Sequence, residues 1–73
     1  MSAVAAIGAP SRVAGFALAG ALVFPANDDA QAVAAWQGLP GTVAVVVLTE
    51  AAAAALAAAG AFSPGAPLTV VLS

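Results

Sequence analysis

Runs rich in valine, isoleucine and leucine alternate along this chain with runs rich in alanine, and glycine or proline marks most boundaries. AVAAI (Ala3–Ile7) is a short apolar run ending at Gly8, which predicts a first strand. A helix is expected from about Ser11, an N-cap residue type, to Ala19, with Gly20 closing it. ALVF (Ala21–Phe24) predicts a second strand, ended by Pro25. In NDDAQAVAAWQG, Asp28 and Gln31 have capping-box spacing, and the acids suit the start of a helix that Gly38 ends. TVAVVVL (Thr42–Leu48) is a continuous β-branched run, the pattern of a central strand buried on both faces. Thr49 can cap a third helix opened by Glu50 and closed by Gly60, whose one bulky residue is Leu56. FSPGAP is a loop, and LTVVL (Leu68–Leu72) a fourth strand.

The order βαβαβαβ predicts an α/β fold, a single doubly wound domain over residues 1–73 with a four-stranded parallel sheet and three helices. The expected strand order is 2-1-3-4. Helices one and three are expected on one face and helix two on the other.

Composition changes this picture in one respect. The chain is 64% hydrophobic and 5% charged, which raises a membrane reading. Its two uncharged windows, residues 30–49 and 51–73, are broken by G-L-P-G and by S-P-G-A-P, and alanine supplies most of the apolar count. A spanning helix needs about 20 unbroken apolar residues. A small membrane-associated peptide therefore stays an alternative, behind the globular domain. There is no cysteine, histidine or lysine. The ionisable side chains are Arg12, Asp28, Asp29 and Glu50, too few for most acid–base or metal chemistry. A single cation also speaks against a nucleic-acid partner.

The glycine turn after the first strand invites a phosphate-site reading, and its spacing fails the test. Gly8 is followed by Ala9, Pro10 and Ser11, so neither G-x-G-x-x-G nor a P-loop is present. Arg12 is read as a solvated first-turn residue. A receiver domain shares the element order and needs an acceptor aspartate after strand three, where Leu48 and Thr49 stand, and a later lysine. A receiver-like binding module without a phosphoacceptor is the second alternative. Ser11 and Ser63 have no base to activate them. Adjacent Asp28 and Asp29 diverge by about 100° on a helix, which disfavours a paired-carboxylate site. Trp36 is read either as an interface anchor or as core packing.

With the elements in order, a family resemblance emerges. Ile7-Gly8, Val13 and above all the run Gly15-Phe16-Ala17-Leu18-Ala19-Gly20 are similar to the F-subunit family of the V/A-type ATPases, small α/β proteins of the central rotor stalk. The apolar strand ending in Thr49-Glu50, and Pro67 before an apolar strand, look like later parts of the same family. The sequence departs from the family in having Ala9 where an acid is usual and alanine where the helices usually carry Glu and Lys. The family's C-terminal segment, which follows the fourth strand, is not among these 73 residues, so stalk affinity is expected to be below that of a relative that has it.

The resemblance implies a non-catalytic rotor subunit of the central stalk of a proton or sodium ATPase or ATP synthase. Its implied partner is the coiled-coil stalk subunit, and through it the catalytic hexamer. It implies a cytoplasmic place, peripheral to the membrane, with no cofactor, nucleic acid or small-molecule ligand. It also implies that the glycine turn serves shape: Gly8 a sharp strand exit, Gly15 a close approach of helix one to its neighbours, Phe16 core or interface area. Gly8, Gly15, Phe16, Leu18, Gly20, Thr49 and Glu50 are the motif residues, and Arg12, Phe16 and Trp36 the expected partner contacts.

Overall fold

The computed structural model describes residues 3–72. Strands β1 (Ala3–Gly8), β2 (Leu22–Pro25), β3 (Val43–Leu48) and β4 (Leu68–Val71) form one four-stranded sheet in the order β2-β1-β3-β4. Every neighbouring pair is parallel. The α/β class, the strand order and the central place of β3 are those expected from the alternation of textures. The β1–β3 register shifts between Ala3 and Val4, where Ala44 is skipped.

Helices α2 (Asp29–Gln37) and α3 (Glu50–Ala58) begin where their caps direct. The Asp28 carboxylate accepts from the backbone N–H of Gln31 at 2.7 Å, and the Thr49 hydroxyl from that of Ala52 at 3.2 Å. The Gln31 side chain reaches back to the N–H of Asn27 at 2.7 Å, one residue before the cap rather than to the cap itself. It thus satisfies a donor just outside α2, a variant of the capping box.

The first helix departs from expectation. Its N-cap is Ala9, without a side-chain bond, and Pro10 rather than Ser11 opens it. Proline presets the helical φ and gives up an N–H that had no partner there anyway. Regular α-helix, α1, lasts only from Pro10 to Val13; Ala14–Ala19 continues as a 3-10 helix. Gly15 lies inside the 3-10 stretch. A Cβ placed there would meet nothing within 4 Å, so Gly15 mediates no close approach, and its cost to helix propensity is not repaid by packing. Gly20 does close the segment, in the left-handed conformation at φ 87.

The helices also divide differently between the faces. α2 and α3 pack against each other on one face, and α1 with the 3-10 segment lies over β1 and β2. The handedness rule itself requires this. The crossover from β1 to β2 moves one way along the sheet. Those from β2 to β3 and from β3 to β4 move the other way, so both place their helices on the same side.

The core sits between the sheet and this helix pair. Ala5 and Ile7 of β1, Val46 and Leu48 of β3, Ala32 of α2, and Ala52, Ala55 and Leu56 of α3 are its centre. Positions 52, 55 and 56 share one helical face, so the alanine run offers a smooth surface with Leu56 as its anchor. Each large side chain buried here contributes about 1.5–3 kcal/mol. The other face of β3 is not fully buried as its sequence suggests: Val45 and Val47 remain half-exposed, because α1 does not reach them.

Candidate functional site

The C-terminal ends of β1, β2 and β3 meet at one pole, where the chain first winds toward β2 and later toward β3. Parallel α/β sheets open a cleft at such a switch point. Here it is about 480 Å³ and open to solvent. Arg12, Asp28, Asp29 and Glu50, all the charged side chains in the sequence, line it. The clustering has a local cause. Asp29 and Glu50 occupy the first turns of α2 and α3, where negative charge complements the macrodipole. Arg12 follows the turn out of β1.

Gly8 and Thr49 form the floor. Both are buried, and the Thr49 N–H donates to the carbonyl of Ile7 at 3.2 Å. A Cβ at Gly8 would collide with the side chain of Thr49. The glycine is therefore required by the closeness of β1 to the β3–α3 turn. On the other side, the carbonyl of Gly8 accepts from the Ala26 N–H at 2.7 Å.

The chemistry available is limited. Each of the two helix N-termini that face the cleft has one first-turn N–H taken by its own cap, Asp28 or Thr49, and three carboxylates oppose one guanidinium. That balance of charge is unfavourable for an anion. The hydroxyl of Thr49 is held by its capping bond and has no base beside it. Among the described residues no three acidic groups are placed to hold a metal together.

The remaining motif residues lie elsewhere. Gly15, Phe16 and Leu18 belong to the 3-10 segment beside β2, and Gly20 caps it. Ala21 donates to the carbonyl of Phe16 and Gly20 to that of Ala17, both at 3.1 Å, which folds the run into a tight knuckle. Phe16 is half-buried, whereas Leu18 is 95% exposed. Trp36 is at the opposite pole, lining a second hollow of about 500 Å³ with Val43 and Pro67. Its ring meets that of Phe62 edge-on, with centroids 5.4 Å apart. Arg12 and Phe16 thus share one short segment, and Trp36 does not join them in a single patch. Sequence reasoning missed Val4, Leu68 and Val70, which are exposed on the α1 side of the sheet. The lack of alternation in LTVVL was the available signal.

The fold and cleft define a small doubly wound parallel α/β domain. Comparison of the chain with protein-family models, with curated proteins and with solved structures gives no significant match. Among the described residues, no helix is long and apolar enough to cross a membrane.

Proposed function

We propose that this chain is a non-catalytic docking subunit, the counterpart of the small α/β subunit in the central rotor stalk of a V/A-type ATPase or ATP synthase. On this reading it binds the coiled-coil stalk subunit, turns with it, and sits in the cytoplasm at the periphery of a membrane-bound complex. The observation that carries the proposal is Leu18. It lies in the most family-specific run of the sequence and is almost wholly solvent-exposed on a knuckle held by backbone hydrogen bonds. A large apolar side chain presented so openly gains nothing for the fold, and it suits a contact with an apolar coiled-coil stripe. The cleft is compatible with the reading: Asp28 caps α2, and Asp29 and Glu50 sit in first helical turns, which accounts for its carboxylates without a ligand.

The test is titration of the chain with the coiled-coil stalk subunit of a V/A-type ATPase, followed by size-exclusion chromatography and calorimetry. A complex should form, and Leu18→Asp should weaken it while leaving the melting temperature of the isolated chain unchanged. An unaltered elution volume and no heat at about 50 μM, where weak transient contacts still register, would overturn the proposal.

A further inference from the structure

The two edges of the sheet are treated differently. At β2, the 3-10 segment packs alongside and Pro25 ends the strand. At β4, none of the described strands lies outside it in the sheet. Leu68, Thr69, Val70 and Val71 are all exposed. Natural edges are blunted by shortness, charge, proline, a bulge or a covering element, and four-residue β4 has the first of these; the others are what matter for pairing. Between Leu68 and Leu72 this edge has no charge or proline and, among the described residues, no covering element; Pro67 stands only at its entrance.

The outward backbone groups can be assigned. Leu72 donates its N–H to the carbonyl of Leu48 on β3 at 2.8 Å. Along a strand, successive residues turn their N–H and C=O to opposite sides. Val70 and Leu68 therefore point with Leu72 toward β3, and Thr69 and Val71 point away from it. Pairing with β3 also sets the side chains: Leu68 stands beside Val45 and Val70 beside Val47, on the face that α1 leaves open.

We propose that β4 is a homodimerisation edge, and that two copies of this chain join through antiparallel β4–β4 pairing into one eight-stranded sheet. A two-fold axis at Val70 matches every group. Thr69 of one copy and Val71 of the other exchange two hydrogen bonds, and the symmetric pair exchanges two more. Val70 then meets its own counterpart in a non-hydrogen-bonded pair, the arrangement that brings side chains closest. Leu68 falls opposite Leu72 of the other copy on the same face. An edge that is apolar, uncharged and self-complementary about one residue fits a second copy of itself, an isologous contact.

Charge and size agree with this occupant. All four ionisable side chains line the cleft at the C-terminal ends of β1, β2 and β3, and none lies on β4. The net charge of −2 per copy is therefore kept off the contact. A tight dimer buries about 800 Å² per partner, which here is nearly a fifth of the 4198 Å² surface. A four-residue edge covers less, so the dimer belongs in the micromolar range.

The experiment is sedimentation of the full chain from about 1 to about 200 μM, the range of weak dimers. The expected result is a reversible monomer–dimer equilibrium, each monomer being 6.8 kDa. Val70→Lys places two like charges at the axis and should raise the dissociation constant by about 100-fold or more. Thr69→Pro removes an outward N–H and leaves the β3–β4 bonds in place, so it should also give monomer with an unchanged far-ultraviolet spectrum. A wild-type chain that stays monomeric, a dimer indifferent to both substitutions, or assemblies that keep growing beyond two copies would each overturn the proposal. A monomeric chain that still binds the coiled-coil stalk subunit would sink the dimer alone and leave the stalk reading standing.

Discussion

On one face of the sheet Ile7, Val46 and Leu48 have no solvent exposure; on the other, Val4, Leu68 and Val70 are 42%, 75% and 52% exposed. Of the strands, β1 supplies a residue to each set, β3 keeps Val45 and Val47 half-buried on the open side, and at the β4 edge exposure reaches both faces, with Val71 at 50% beside Leu48; the two sets are equally apolar. Hydrophobicity therefore does not decide which side becomes the core. Cover does. Two crossovers of like direction place α2 and α3 together on one face. The other receives four residues of α-helix and a 3-10 segment, spread over β1 and β2. The β3–β4 half of that face has no layer of its own. A short parallel fold of this strand order is lopsided by topology.

The sharpest way to break the comparison is to truncate matched leucines. Leu56→Ala should lose about 3 kcal/mol, because its cavity opens under a close-packed helix pair. In a domain this small that is a large share of total stability. Leu68→Ala, on the open face, should stay within about 0.5 kcal/mol. Urea unfolding of both variants decides the matter, and equal losses would mean the two faces are not distinct. Gly8→Ala comes next, at about 1–3 kcal/mol, since the new methyl must displace Thr49 and overpacks the floor of the cleft. Partial recovery in Gly8→Ala combined with Thr49→Ser, which gives back the space of the methyl, would sharpen the point; no recovery would place the strain elsewhere.

Thr49→Ala should cost about 1 kcal/mol by leaving the Ala52 N–H without its cap. Thermal melts of Thr49→Ser, expected to be close to wild type, separate the lost hydroxyl from the lost methyl. The smallest effect belongs to Val4→Thr, within about 0.5 kcal/mol, because the hydroxyl stays near water on the half-covered side. The same polar change at Val46 should be clearly worse; if the two melt alike, burial is not what separates the faces.

Much of the architecture is legible in the sequence. Gly and Pro punctuation delimits the strands, and Asp28 and Thr49 announce both long helices because a cap is a local device. Leu56 stands out in its alanine run. The features that escape depend on relations between distant parts. The GFALAG run looks helical by composition, and neither its tightening into a 3-10 helix nor the open space beside Gly15 is visible there. Val45 and Val47 look doubly buried until the helix layer is found to stop short of them. The cleft is legible in part: Thr49 and Glu50 fall at a strand end, yet the gathering of every charged side chain around Gly8 requires the strand order to be drawn in space. Trp36, read as either anchor or core, proves to be half-buried against the core with Phe62 against it.

That aromatic pair has an optical consequence. The sequence contains one tryptophan and no tyrosine, so ultraviolet emission comes almost entirely from a single indole. Its edge-on contact ties α2, through Phe62, to the loop that leads into β4. Loosening of that loop would hydrate the indole and shift its emission to longer wavelength, even while the helices stayed folded. The chain thus carries a built-in fluorophore at the entrance to its open strand, separate from the charged cleft at the other pole.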